Sequence, residues 1–67
     1  FNAHDRAVVV RPSAQIRKTP SDTSASAFVL HEGTSVVITD SLMKGWLGIR
    51  LDDGREGWIK SNQVEVI

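Results

Sequence analysis

The hairpin-like stretch W-L-G-I-R-L-D-D-G-R-E-G-W-I-K, from Trp46 to Lys60, most narrowly limits how this chain can fold. Two short apolar runs flank Asp52-Asp53-Gly54, which is a strong local signal for a β-hairpin. A two-residue turn would pair aliphatic residues with an indole and a carboxylate. A three-residue loop, with Gly54 in the left-handed region, sorts apolar and polar side chains better. We therefore expect the three-residue loop.

This register assigns each hairpin residue to a face, because side chains alternate sides along a strand. One face is aliphatic and is predicted to join the core: Leu47, Ile49, Leu51 and Ile59. The other face carries two indoles, a facing pair of opposite charges and a glycine across from a tryptophan. Any function is expected on this second face, which holds Trp46, Gly48, Arg50, Glu56, Trp58 and Lys60.

The small size of the chain favours a closed β-structure. A chain of 67 residues buries only about 60% of the surface that it exposes when unfolded. It has no cysteine, so neither disulfides nor thiolate-bound zinc can supplement the core. A small barrel uses the available aliphatic residues efficiently.

Short β-rich segments recur between turn signals. Residues 7–10, 15–17, 35–39 and 63–67 are predicted strands, residues 28–31 fit a strand or a single helical turn, and residues 18–27 form a polar loop. No segment has the pattern of an amphipathic helix. Such spacing indicates a sandwich or a barrel, and the length favours an all-β barrel of five to seven strands. The predicted core is Val8, Val10, Ile16, Leu30, Val36, Ile38, Leu47, Ile49, Leu51, Ile59, Val64 and Val66.

Charge and hydropathy argue against two classes of partner. Eight basic and eight acidic side chains cancel and are scattered, which is not the footprint of a nucleic-acid-binding protein. No apolar run is long enough for a membrane helix, and no signal peptide is visible. We expect residues 1–6 to be a tail or linker and residues 7–67 to be one domain. Because the chain begins at Phe1, we expect an excised or processed fragment.

An ordered set of short motifs resembles the bacterial SH3 family. The matching residues are Ile16-Arg17, Pro20-Ser21, Val29-Leu30, Gly33-Thr34, Val36, Ile38, Gly45-Trp46, Ile49, Asp53-Gly54 and Gly57-Trp58-Ile59. They cover nearly the whole chain from Ala7 onward. Within the family, the sequence is most similar to the C-terminal domain of Bacteroides aerotolerance (Bat) proteins that also carry tetratricopeptide repeats and membrane helices.

The resemblance implies a small SH3-like barrel with a non-catalytic role, attached to a larger envelope-associated protein. Relatives are commonly appended to cell-wall hydrolases and are thought to bind peptidoglycan or peptides. It therefore implies a place in the cell envelope, periplasmic or membrane-attached through a missing N-terminal part. One stretch departs from eukaryotic SH3 domains, which show P-S-N-Y where this chain has Lys60-Ser61-Asn62-Gln63. Binding of proline-rich peptides in the eukaryotic manner is not expected.

Each candidate site residue has a structural and a functional interpretation. Trp46 is either a lid over a barrel end or a ligand platform, since tryptophan combines apolar area with a polar N–H. Trp58, opposite Gly48, fits an aromatic that packs over a cross-strand glycine. Arg50 and Glu56 are expected to form a surface ion pair of low energy, and Lys60 to be solvated. The predicted ligand-binding residues are Trp46, Trp58, Arg50, Glu56 and Lys60.

The sequence favours neither an enzyme nor a metal or cofactor site. His4 and His31 are the only histidines, and they are not part of a convergent set of ligands. Asp52 and Asp53 suit the geometry of a hairpin tip, where no pocket would raise a pKa. The serines of residues 18–27 have no nearby base.

We therefore expect an interaction module that binds a protein segment or a peptidoglycan fragment through a groove around Trp46, bordered by residues 18–27. The alternative is a structural C-terminal domain that packs on its own parent chain and binds no free ligand. As an isolated domain it is expected to be a monomer.

Overall fold

The computed structural model describes residues 6–67, and its architecture is a small all-β SH3-like barrel. Seven antiparallel strands form one sheet, and a 3₁₀ turn at Ser61–Gln63 precedes the last of them. The strands are β1 (Arg6–Val9), β2 (Ser13–Arg17), β3 (Ser26–His31), β4 (Ser35–Asp40), β5 (Trp46–Arg50), β6 (Glu56–Lys60) and β7 (Val64–Val66). The fold class predicted from the sequence is confirmed.

The β5–β6 hairpin has the predicted register. Gly48 lies opposite Trp58, and beyond the strand ends the N–H of Leu51 donates to the carbonyl of Arg55 at 2.8 Å. The three-residue loop closes through Gly54, whose φ of 94° lies in the left-handed region, where a Cβ would be strained. The hairpin occupies the middle of the sheet, whose order is β3-β2-β6-β5-β4-β1-β7.

Most of the predicted core is confirmed. Residues 28–31 belong to a strand, β3, which settles the choice left open by the sequence. Of the predicted core residues, seven are buried: Ile16, Leu30, Val36, Ile49, Leu51, Ile59 and Val64. Phe28, Ile38 and Leu47 are partly buried and pack against this cluster.

The predicted face of β1 is wrong by one residue. Ala7 and Val9 are fully buried, whereas Val8 is only half-buried and Val10 is 39% exposed. The cause is the pairing with β4, in which Ala7 lies opposite the buried Val36 and so points to the same face.

Three smaller differences concern the chain termini and β2. Val66, predicted to be in the core, is 53% exposed, and Ala14, which was not predicted there, is buried. Arg6, predicted to belong to the tail, is the first residue of β1. Residues 1–5 of the predicted tail lie outside the described residues. Within residues 6–67, no helix has the length and hydropathy needed to cross a bilayer.

Candidate functional site: two grooves beside the tryptophans

The five predicted site residues lie on the non-core face of the β5–β6 hairpin, in cross-strand rows. The rows pair Trp46 with Lys60, Gly48 with Trp58, and Arg50 with Glu56. Both indoles are half-buried, whereas Ile49 and Ile59 are fully buried. The predicted separation of an aliphatic face from an indole-bearing face is therefore confirmed.

A groove of about 320 Å³ lies beside the Trp46 indole, and we call it the Trp46 groove. It is built by β2, the loop that follows β2, the end of β6 and the 3₁₀ turn. Its remaining lining is polar and comes from Ser13, Gln15, Arg17, Asp22, Lys60 and Gln63. Hydroxyl, amide and charged groups around one indole can satisfy the polar groups of an extended ligand that stacks on the ring.

Lys60 joins the two sides of the Trp46 groove. Its ammonium lies 2.7 Å from Oδ1 of Asp22 and 5.9 Å from the centre of the Trp46 ring, within the range of a cation–π interaction. The sequence predicted a solvated Lys60. Its side chain is 44% exposed and so contacts solvent, and the structure adds a carboxylate and an indole as its neighbours.

The polar loop, residues 18–25, is held in place by its own hydrogen bonds. The N–H of Lys18 donates to the carbonyl of Ala25 at 3.1 Å, and Nη1 of Arg17 donates to the carbonyl of Ser24 at 3.0 Å. The N–H of Thr19 donates to the Ser24 hydroxyl, also at 3.0 Å. These bonds position Asp22 on the wall of the Trp46 groove, so the loop borders the groove as the sequence predicted.

Trp58 lines a second groove, of about 410 Å³, which we call the Trp58 groove. Its other lining residues are Lys18, Thr39, Asp40, Gly48, Ile49, Glu56 and Gly57. The structure thus divides the predicted site residues. Trp46 and Lys60 share one groove, Trp58 and Glu56 share the other, and Arg50 lines neither.

Arg50 and Glu56 do not form the expected ion pair. They are direct cross-strand neighbours, yet among the described residues no ion pair within 4.0 Å joins these two exposed side chains. Exposed long side chains lose rotamer entropy on pairing and gain little Coulomb energy in water, which accounts for the difference.

A side chain at Gly48, the glycine opposite Trp58, would crowd β4. A Cβ built at the buried Gly48 would lie 3.0 Å from Cβ of Asp40 and 3.1 Å from Oγ1 of Thr39. These residues lie at a register shift between Ile38 and Asp40, where β4 passes β5. Trp58 of β6 therefore lies opposite Gly48 of β5, and on the other edge of β5 the strand β4 approaches Gly48 closely.

At the tip of the β5–β6 hairpin, the Asp53 carboxylate stabilises the turn. The Asp53 carboxylate accepts from the N–H of Arg55 at 3.0 Å and from its Nε at 2.8 Å. The backbone N–H of Arg55, assisted by its guanidinium, holds the pKa of the exposed Asp53 carboxyl below its usual value. A depressed pKa keeps this group ionised, which suits a turn-stabilising acceptor and not a proton donor.

The described residues also contain no group of three or more side chains placed to hold a metal ion. His31 ends β3, and its Nδ1 lies 3.4 Å from the carbonyl of Pro12. His4 lies outside the described residues.

Sequence reasoning missed five lining residues of the Trp46 groove, namely Gln15 and Arg17 together with Ser13, Asp22 and Gln63. The first two reach it because β2 runs beside β6, with Arg17 opposite Trp58. Nothing in the local pattern of β2 indicates that neighbour, since the pairing joins segments distant in sequence. The polar composition of residues 18–27 was the one signal available, and it located Asp22 only as part of a loop.

Comparison with known proteins does not place the chain in a family. No protein-family model matches the sequence, and no curated protein is significantly similar to it.

Proposed function

We propose that this domain is a non-catalytic interaction module that binds an extended protein segment or a peptidoglycan fragment in the Trp46 groove. The observation that carries the proposal is the half-buried Trp46 indole within a polar groove of about 320 Å³. Tryptophan is enriched at the energetic centres of binding surfaces, since it offers a large apolar face and a polar N–H at low conformational cost.

The chemistry around the indole supports an extended ligand. Gln15 and Gln63 offer amides, Ser13 a hydroxyl, and Arg17 a guanidinium. These groups suit the alternating donors and acceptors of a peptide backbone or of an amide-bearing sugar. This mixture of groups suits such ligands better than it suits a purely apolar ligand or a phosphate group.

The titratable groups of the groove support binding over catalysis. Lys60 and Asp22 are already paired at 2.7 Å, and both are substantially exposed. General acid–base catalysis needs a group that is free to give or take a proton beside the reacting atoms, whereas these two side chains are engaged with each other. No histidine is among the described residues that line this groove.

The motif pattern and the SH3-like barrel together support membership of the bacterial SH3 family. On that basis we propose that the domain belongs to an envelope-associated protein, of the kind represented by the Bat proteins that carry tetratricopeptide repeats. The small all-β fold is what such a family member requires, although the fold alone is shared by unrelated functions.

Titration followed by NMR tests the binding proposal. We expect soluble peptidoglycan fragments, or uncharged extended peptides, to shift the Trp46 indole N–H together with Gln15 and Gln63. Changing Trp46 to alanine should weaken binding at least about tenfold, because the stacking surface is lost. Changing Arg50 to alanine is the matched control, since this exposed residue is on the same face but outside both grooves.

Two results would refute this assignment. One is a ligand that shifts the Trp58 indole and leaves the Trp46 indole unchanged. The other is equal loss of affinity in the Trp46 and Arg50 variants.

A second candidate is a structural domain that packs on other parts of a longer chain. The loop between β4 and β5 favours it, because Leu42 is 91% exposed and Met43 is 46% exposed. Adjacent exposed apolar side chains can mark a contact surface. If this candidate is correct, hydrogen exchange at residues 41–45 is slower in the longer protein than in residues 1–67, and no fragment or peptide shifts either indole.

A further inference from the structure

The two edge strands of the sheet, β3 and β7, differ in how well they are protected. Sheet edges present backbone N–H and C=O groups that can pair with another strand, and natural edges are usually short or charged. The β7 edge is short, with three residues, and it is charged, because it includes the exposed Glu65. The β3 edge has six residues, S-A-F-V-L-H, without a proline, carboxylate, ammonium or guanidinium group.

Within residues 6–67, the outer side of β3 has no backbone partner along most of its length. Among the described strands, β3 pairs with β2 alone, in a continuous register from Phe28 to His31. The only other bonds of its backbone are at the end, where the His31 carbonyl accepts from the N–H and the hydroxyl of Thr34. Val29, in the middle of this regular stretch, is 45% exposed.

We propose that β3 pairs antiparallel with β3 of a second copy of this chain, about a two-fold axis at Val29. Direct partners in an antiparallel pair point to the same face. An axis at Val29 therefore places Val29 opposite Val29 of the second copy and Phe28 opposite Leu30 of the second copy. The exposed Val29 meets its counterpart on one face, and the inward-pointing residues meet on the other.

Charge favours a second copy as the occupant of this edge. Like charges directly opposite each other destabilise a strand pair, and a two-fold axis brings the residue on the axis, here the uncharged Val29, against its own counterpart. The β3 sequence avoids this cost because it contains no aspartate, glutamate, lysine or arginine. The formal net charge of the whole chain is also 0, so two copies have no long-range repulsion to overcome.

The geometry limits this association to a weak dimer. A two-fold contact uses the same edge of both copies and leaves only the short, charged β7 edges exposed, so no third copy adds. Six residues span only about 20 Å of strand, and such an edge buries less than a standard stable interface. At low concentration the chain is then the monomer expected from the sequence.

Sedimentation equilibrium and amide NMR spectra, measured from about 20 μM to about 1 mM, test the proposal on the natural chain. We expect the average molar mass to rise with protein concentration. We also expect the largest changes in amide chemical shift at residues 26–31. Changing Val29 to lysine should raise the dimer dissociation constant at least about tenfold, because two ammonium groups would face each other.

The matched controls separate this edge from general effects. V29T keeps a β-branched, uncharged residue and should retain the association. V66K places the same charge on the other edge, at a residue that is 53% exposed, and should also retain it. Circular dichroism checks that each variant is folded.

The proposal is overturned if the chain stays monomeric at the highest concentration. It is also overturned if V66K abolishes association while V29K does not. A third contrary result would be concentration-dependent shifts at Leu42 and Met43 in place of β3.

Discussion

At Gly57 the absence of a side chain allows β6 to pass close to β2. A Cβ at this position would overlap Cγ2 of Ile16 and would lie 3.1 Å from the carbonyl oxygen of Arg17. Ile16 is fully buried, so it has little room to move away. The same close approach sets Arg17 opposite Trp58. Gly57 therefore helps to position β2, which contributes three of the seven residues that line the Trp46 groove.

Changing Gly57 to alanine should therefore destabilise the fold. We expect a loss of about 1–3 kcal/mol, the usual cost of overpacking a buried site, measured by urea unfolding with tryptophan fluorescence. Changing its exposed neighbour Glu56 to alanine serves as the control and should alter the free energy of unfolding by no more than about 0.5 kcal/mol. Equal stability of the two variants would show that β2 can shift to accommodate the methyl group.

Among the elements, the register of the hairpin could be predicted from the sequence, whereas for β1 the strand could be predicted but its inward face could not. In the hairpin, turn chemistry and the alternation of Leu47, Ile49 and Leu51 with polar or glycine residues point to one register. β1 offers no such contrast, because Val8, Val9 and Val10 are identical. Its face is decided by the pairing with β4, which joins residues far apart in sequence.

Alanine substitutions along β1 test the corrected face. Changing Val9, which is fully buried, should cost about 2 kcal/mol through lost burial and the cavity left behind. Changing Val10, which is 39% exposed, should cost less than about 1 kcal/mol. Thermal unfolding of the two variants gives the comparison, and a larger loss for Val10 would restore the face predicted from the sequence.

For the grooves, too, the features that depend on local pattern could be predicted, and those that depend on long-range strand pairing could not. The outward position of Trp46 and Trp58 follows from the hairpin register alone. Their division between two grooves does not, because the walls come from β2, the polar loop and β4. Which strand lies beside β6 or β5 depends on long-range pairing that a single sequence does not encode in any local pattern.

At the scale of the whole molecule, one sheet of seven strands implies a gradient of local stability. β6 and β5 lie in the interior of the strand order and carry the fully buried Ile59 and Ile49. Among the strands of residues 6–67, β3 and β7 each have a neighbour on one side only. Interior strands open only when most of the sheet opens, whereas edge strands can open separately.

Native-state hydrogen exchange should show this gradient. At low concentration, the amides of β5 and β6 that bond within the sheet should exchange at least about 100-fold more slowly than those of β7. Uniform protection across all strands would instead indicate that the domain opens only as a single unit. At high concentration, the proposed dimer adds protection at β3 and leaves β7 unchanged, so the two edges become distinguishable.

Because Trp46 and Trp58 lie in different grooves, tryptophan fluorescence can report on each groove separately. These are the only two tryptophans of the chain, and each faces a different groove. Replacing either one with phenylalanine leaves a single emitter whose spectrum and quenching by iodide describe one groove alone. The pair of variants can therefore locate an unknown binder on the surface without any label.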